Sequence, residues 1–365
     1  MANNAELYER LAAQIVNQCM RISEREMVWI STLRDALDFA EEIAIECDKK
    51  GAKPVISVTS DSYMTHSLKE TDVRYVEEEP THITAAFEKV DVNISLGKPA
   101  LSGAPLEKIG AWRRSRKPMS DVMDSRGIRW IGVTFPTEGR ARESNMSFGK
   151  FEKAVLNALD LDYQQLSLRG QVMIRNLSGA KTVHITSNKG TDLTFEVTGR
   201  KWLNDDGIMD DDDLANKDVG MNLPAGEVFV SPIEDSADGV AFFDVPTSYF
   251  GYHAHNITWR FKDGRLVEFH AEKGEENIRK ILDMATGDKD KIAEFAIGTN
   301  PNATFIDDIT QDEKVLGTIH IAIGNNKGPA YGGKNDSSLH WDLIMAKPTV
   351  EVDGKVIIKD GRHLI

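Results

Sequence analysis

Four short stretches in the second half of the 365-residue chain put ionisable side chains inside runs of apolar residues. In Asn222-Leu-Pro-Ala-Gly-Glu-Val-Phe-Val-Ser-Pro232, Glu227 follows a glycine and opens an apolar strand. In Ile292-Ala-Glu-Phe-Ala-Ile-Gly-Thr-Asn-Pro301, Glu294 lies within a strand that reads as buried. His320 is flanked by isoleucines in Gly317-Thr-Ile-His-Ile-Ala-Ile-Gly324, and Ser338-Leu-His-Trp-Asp-Leu-Ile-Met345 carries His340 and Asp342. A charge in such a setting is costly unless it is paired, hydrogen-bonded or bound to a cation. Side chains at i and i+2 of a strand share a face, so His340 and Asp342 form a ready pair of metal ligands. Imidazole with carboxylate suits zinc, manganese, cobalt or iron without selecting among them. Three carboxylates and two histidines are about what two divalent ions require when one carboxylate bridges them. Two such ions would activate a water and stabilise the oxyanion of a tetrahedral intermediate.

Other constellations compete. Tyr252-His-Ala-His255 also puts two imidazoles on one strand face, with His270 on the following strand. That segment has no carboxylate and is flanked by Tyr249, Phe250 and Trp259, so it reads as core or substrate pocket. His66, His82, His184 and His363 have no constellation around them and read as surface or packing residues. The run Asp210 to Asp213, inside the acidic stretch 205–218, lacks the spacing and glycine of a calcium loop and reads as a solvated acidic loop. No glycine pattern matches a phosphate or dinucleotide loop. No Gly-x-Ser-x-Gly elbow and no cysteine near a plausible histidine partner is present, which leaves acyl-enzyme chemistry without support.

The elements that must hold these residues fall into two textures. Through residue 150, helical spacing (Leu7, Leu11, Ile15, Met20; Leu37, Ala40, Ile43, Cys47) alternates with short strands at Val55-Ile-Ser-Val-Thr59, Val90-Asp-Val-Asn-Ile-Ser-Leu96 and Arg129-Trp-Ile-Gly-Val-Thr134. The second helix ends at Lys49-Lys50-Gly51, a basic last turn with a glycine stop. Such alternation implies βαβ units and a largely parallel sheet. Residues 151–168 read as one more helix. Beyond it, Ser187-Asn-Lys-Gly190 and Asp353-Gly354 mark hairpins, and one helix stands out at 275–285 in an otherwise strand-rich region. The expected organisation is an N-terminal α/β domain with a mainly parallel sheet, 1–175, and a C-terminal strand-rich α+β metal-binding domain, 176–365.

Composition bounds the partners. At 41% hydrophobic and 28% charged residues the chain is globular, and its length suggests two cores. A net charge of −14 argues against nucleic acid or an anionic membrane surface as partner, but not against cations. Cys19 and Cys47 sit in apolar-periodic helices and read as core residues, not a disulfide framework. The N-terminus lacks the pattern of a signal peptide and no apolar run approaches the ~20 residues of a membrane span, so a reducing cytoplasmic compartment is expected.

Together the four ionisable stretches resemble the aminopeptidase T family, the thermophilic or M29 metallo-aminopeptidases. The resemblance covers the chain and is most specific between Lys181 and Leu343. The family has a Leu-Pro-Gly-Glu-Val-Phe-like motif at its first glutamate ligand, matched at Glu227. It has a glutamate before a Gly-Thr-Asn-Pro-like turn, matched at Glu294, and a histidine in His-Ile-Ala-Leu-Gly, matched at His320. It ends in His-x-Asp, matched by His340 and Asp342. The resemblance implies that these five bind two divalent ions (zinc, cobalt, manganese or magnesium) and that Glu227 or Glu294 relays a proton to the leaving amine. It also implies a homodimer enclosing a cavity, and small peptides as substrates. The family's functional tyrosine follows the first histidine closely. Here Tyr331 comes several residues later than that, so either Tyr331 or Lys327 takes its place, or the role is absent, and the loop before His340 is shorter than in typical members. Two other readings stand beside the peptidase: a single-iron, ring-cleaving dioxygenase of the hydroxypyridine type, a branch of the superfamily with a histidine where the peptidases have the second glutamate, and a metal-binding protein without catalysis. Glu294 favours the peptidase.

Overall fold

The computed structural model describes residues 4–101, 103–249, 252–328 and 332–365. The chain forms two compact units, Met1–Asp160 with Gly207–Leu223, and Leu161–Asp206 with Pro224–Ile365. The boundary expected near residue 175 falls inside the helix Tyr163–Leu177, which belongs to the second unit. Among the described residues no helix is long and apolar enough to cross a membrane.

The first unit is built on a parallel sheet of five strands. In spatial order these are Lys53–Thr59, Met27–Leu33, Val92–Leu96, Arg129–Val133 and Gly220–Leu223. Helices connect the first four along the chain, as the alternation of periodicities implies. The fifth strand arrives from far along the sequence. Its pairing with Arg129–Val133 is in parallel register from Trp130 opposite Gly220 to Val133 opposite Leu223, and a strand four residues long gives no readable period on its own.

The second unit stacks two antiparallel sheets. One includes the expected hairpins Thr182–Thr186 with Asp192–Glu196, and Thr349–Val352 with Lys355–Lys359. The other orders His340–Met345, Ile319–Gly324, Ile292–Gly298, Glu227–Val230 and Leu203–Asp205. Their facing sides form one apolar core, with Phe195 packed on Phe295 at 5.3 Å and Trp259 on Trp341 at 5.7 Å between ring centres. The chain is therefore a mixed α/β protein with a parallel sheet and antiparallel, strand-rich sheets, matching the expected fold class.

Two local expectations are corrected. The single helix expected over 151–168 is two helices, Phe148–Leu159 and Tyr163–Leu177. Asp160 leaves helical geometry and the Asp162 carboxylate accepts from Gln165 N, so the intervening aspartates stop one helix and start the next. The aspartate run is not a loop either. Asp210 caps the short helix Asp211–Asn216, accepting from Asp212 N and Asp213 N, while Asp213 bonds back to Asp210 N in a capping box. Clustered carboxylates there face the positive end of the helix.

The two proline-containing motifs of the sequence lock onto each other. Asn300 donates through Nδ2 to Ala225 O at 2.8 Å, and its Oδ1 accepts from Asn302 N and Ala303 N. Thr299 N bonds Gly226 O at 2.8 Å, and Gly226 N bonds Asp205 O at 2.9 Å. Gly226 has φ +131°, and a Cβ there would lie 2.7 Å from Asn300 Cβ and 2.9 Å from Asn300 N. Glycine at 226 is thus what lets Glu227 enter its strand against this turn. Gly226→Ala is expected to cost about 1–3 kcal/mol from backbone strain alone, lowering the melting temperature by roughly 2–4 °C per kcal/mol. A calorimetric scan of wild type and variant checks this, and an unchanged melting temperature would contradict the packing described.

Candidate metal centre

Strand pairing decides which side chains meet. Glu227 lies opposite Gly298, His320 opposite Ala296, Glu294 opposite Ala322, Asp342 opposite the same Ala322, and His340 opposite Gly324. Directly paired residues share a face, so all five candidates project from one side of the sheet. Asp205, opposite Glu227, joins them. Each of the five candidates therefore has alanine or glycine as one cross-strand neighbour, which leaves room above the sheet. The alternate residues, among them Val228, Phe295, Ile321, Trp341 and Leu343, point the other way into the core.

The polar ends converge tightly. His320 Nε2 lies 3.2 Å from Glu294 Oε1, 3.6 Å from Glu227 Oε2 and 3.8 Å from Asp342 Oδ1. His340 Nε2 lies 3.3 Å from Asp342 Oδ1 and 3.7 Å from Glu294 Oε2. The two oxygens of Glu294 thus face two different imidazoles. His340 Nδ1 donates to Asn325 O at 2.8 Å, which leaves Nε2 for the site. Three sets can each present ligand atoms within 4.8 Å of one another: Glu227, Glu294 and His320; Glu294, His340 and Asp342; and Glu313, His320 and Asp342.

Three residues of the cluster escape the sequence reading: Asp205, Glu313 and Lys314. Lys314, 1% exposed, places Nζ 2.5 Å from Glu227 Oε1 and 3.0 Å from both Asp205 Oδ2 and Glu313 Oε1. In sequence, Asp312-Glu-Lys-Val315 reads as a solvated turn and Asp205 as the start of an acidic surface stretch; nothing local distinguishes them. Only the fold brings this ammonium under the sheet face.

Electrostatics follows from crowding. Burial pushes the Glu227 carboxyl up, against the pull of Lys314, to about 8, and burial likewise raises Glu313. Burial acts to lower His320, but its bond to Glu294 and the charges of Glu227, Asp342 and Glu313 outweigh that and lift it to about 9. His340, also opposed by burial, is lifted to about 10 by Asp342 and Glu294. Burial acts to raise Asp342, yet His340 and His320 bring it down to about 2. Lys314 is held well above its usual value, because its three carboxylates overcome the cost of burial. The ion-free cluster thus retains protons that ordinary histidines and carboxylates release.

The donor set fits divalent cations. Glu227 Oε2, Glu294 Oε2, Asp342 Oδ1 and His320 Nδ1 are buried without a hydrogen-bond partner among the described residues. Buried acceptors are rarely left so. The 3.2–3.8 Å gaps between donor atoms are close to the roughly 3.4 Å that two ligands bonded at 2.0–2.1 Å to one tetrahedral ion would show. Five carboxylates face one ammonium, and two divalent ions would supply the positive charge still wanting.

The remaining candidates are not brought in. His253 is exposed and His255 half-buried on the strand Tyr252–Lys262, while His270 pairs opposite Thr258 and bonds Glu275 at 2.6 Å. Among the described residues no set of metal-ligating side chains includes them. His184 bonds Asp192 and His66 bonds Ser62 O on the surface. Tyr331 lies outside the described residues. Lys327 pairs with Asp336 at 2.8 Å in an exposed position.

In the ion-free protein, the folded state binds protons at Glu227, His320 and His340 that the unfolded chain, titrating near 4.5 and 6.5, has given up by pH 7. Stability falls with pH wherever the folded state holds more protons. Chelated protein is therefore expected to lose stability as pH rises through about 8 to 10, and divalent ions should flatten that loss by replacing the protons. Melting temperature against pH, with chelator and with ions, checks it; identical curves would contradict it.

Comparison with known proteins shows the family to which the chain belongs. Residues 4–364 match the family described as thermophilic metalloprotease (M29). The chain is 24% identical to aminopeptidase T of Thermus aquaticus over 404 residues, covering 98% of this chain and 96% of the relative. It is 22% identical to aminopeptidase AmpS of Bacillus subtilis over 405 residues, covering 98% and 95%. Among solved structures, wild-type AmpT from Thermus thermophilus superposes with a TM-score of 0.80 at 21% identity, over 99% of this chain and all of the other. The 2,5-dihydroxypyridine dioxygenase of Pseudomonas putida KT2440 shares the fold at a TM-score of 0.64 and 14% identity, over 99% and 97%.

Proposed function

The chain belongs to the thermophilic metalloprotease (M29) family, and from that premise we propose that it is an aminopeptidase that removes N-terminal residues from small peptides at a centre holding two divalent ions. The observation that carries the reading is Glu294, whose Oε1 faces His320 at 3.2 Å and whose Oε2 faces His340 at 3.7 Å. Glu227, Glu294 and His320 would hold one ion, and Glu294, His340 and Asp342 the other, so that Glu294 would serve both. Glu313 lies within reach of His320 and Asp342 and completes the acidic wall. When bound, the ions supply Lewis acidity and a lowered water pKa. The identity of the ions, zinc, cobalt, manganese or magnesium, is left open by a mixed nitrogen and oxygen donor set.

The chain's own residues have separable tasks. Glu294 has both oxygens turned to histidines. Glu227 keeps Oε1 against Lys314 and leaves Oε2 without a partner. We assign the proton relay to Glu227, because its Oε2 has no hydrogen-bond partner whereas both oxygens of Glu294 face histidines. A substrate's free α-amine would be read by an acidic side chain or by an ion. Tyr331 remains a candidate for contact with substrate. The same reading extends to a homodimer working in the cytoplasm, where the buried Cys19 and Cys47, which form no disulfide, suit a reducing medium.

Fold alone does not choose between peptidase and ring-cleaving dioxygenase, since both solved relatives share it. The carboxylate at Glu294 favours hydrolysis. Chelated protein reloaded in turn with cobalt, zinc, manganese or magnesium is expected to hydrolyse amino-acid arylamides and dipeptides. N-acetylated versions should react at least about a hundredfold more slowly, a loss of roughly 2.7 kcal/mol of transition-state binding. No turnover with any of the four ions would overturn the reading, and oxygen uptake with a dihydroxypyridine and ferrous iron would replace it with the dioxygenase.

A further inference from the structure

Glu294 reaches the site only because its strand is irregular. In a regular strand Ile292 and Glu294 would share a face. Here Ile292 pairs with Ile323 and packs in the apolar core, whereas Glu294 pairs with Ala322 on the opposite, charged face. The register slips between them, leaving Ala293 as the extra residue of a β-bulge. A bulge of this kind re-aims a side chain and leaves backbone groups outside the ladder.

Those groups are met by two buried amides. Asn326, 1% exposed, donates through Nδ2 to Ala293 O at 3.3 Å. Asn335, fully buried, donates through Nδ2 to Ile292 O at 2.9 Å. The two residues also hold each other: Asn335 N donates to Asn326 Oδ1 at 2.9 Å and Asn326 N to Asn335 O at 3.3 Å. Glu234 fixes the pair from outside. Its Oε1 accepts from Lys334 N at 2.7 Å, and its Oε2 accepts from Arg200 Nη2 at 2.7 Å, a pair with both side chains about 10% exposed. Arg200 also reaches Gly332 O. Gly333 has no room for a side chain, since a Cβ would lie 2.1 Å from Asn326 Cγ. The residue before Asn326 carries the carbonyl that receives His340 Nδ1 at 2.8 Å.

We infer that Asn326 and Asn335 are positioning residues for the metal centre, clamping the bulge that turns Glu294 toward the ions and fixing the Asn325 carbonyl that orients His340. One amide pair thereby sets two of the three side chains that would hold the second ion. The inference rests on the proposed two-ion reading for its consequence, but the clamp itself is a feature of the ion-free chain.

The test uses Asn326→Ala and, as a milder companion, Asn335→Ser, each confirmed folded by circular dichroism. Ion affinity is measured by calorimetric titration with cobalt, the visible spectrum of the cobalt-loaded protein is recorded, and the His340 ring N–H is followed by NMR in chelator. Loss of an outer partner typically costs 10–100-fold in affinity. The weaker-bound ion should lose affinity by roughly that factor in Asn326→Ala, its cobalt absorption should shift, and the slowly exchanging His340 Nδ1–H signal should disappear. Wild-type affinity, spectrum and ring signal in both variants, with only a lowered melting temperature, would overturn the inference and leave the amides purely structural. If the wild type binds no ion, the two-ion function falls, and the His340 ring signal decides the clamp by itself: persistence in both variants overturns it.

Discussion

Five carboxylates, four from one face of a sheet and Glu313 from beside it, repel one another, and a single ammonium cannot balance them. Taking a carboxylate out of water costs several kcal/mol even after relaxation. That constraint organises the second unit. Lys314 offsets part of the charge permanently. In the absence of ions the histidines and Glu227 offset more by retaining protons. Divalent cations would do the same with fewer groups, using lone pairs that protein donors leave unmet. The centre is therefore an electrostatic deficit held in place by a rigid sheet.

The rigidity comes from the division of labour between faces. Branched and aromatic residues on one side bind this sheet to its partner through Phe295 and Trp341. On the other side, Glu227, Glu294, His320, His340 and Asp342 each have an alanine or glycine opposite on at least one neighbouring strand. The strands read as apolar throughout because both faces are shielded, and the charges survive among them because alanine and glycine leave space. Three carboxylate oxygens and an imidazole nitrogen without hydrogen-bond partners would destabilise an ordinary core; here they are the reason for the arrangement.

Much of this was legible in the sequence, for physical reasons that can be named. Glu227, Glu294, His320, His340 and Asp342 stood out because burying charge is expensive and their flanking residues demanded burial. His340 and Asp342 were seen to share a face because strand periodicity is two. The hairpins at 187–190 and 353–354 were visible from their turn residues. Asp205, Glu313 and Lys314 were not, because each sits in a polar stretch that looks solvated until distant strands close over it. The aspartates at 210–213 misled in the other direction: their clustering serves a helix end. The bulge at Ala293 was also invisible, since nothing in Lys-Ile-Ala-Glu-Phe says where pairing slips. Long-range pairing decided the buried cluster and the bulge, whereas the aspartate run answers to local helix capping.

The claim on which the account stands is that Glu294 is shared between two ions. It is tested most directly by counting metal per chain, by elemental analysis of protein equilibrated with excess ion and then desalted, for wild type and for Glu294→Ala. The account predicts about two ions per wild-type chain, and one or none in the variant with the fold retained, because removing a bridging carboxylate under-coordinates both positions. Two ions in the variant as in the wild type would contradict it.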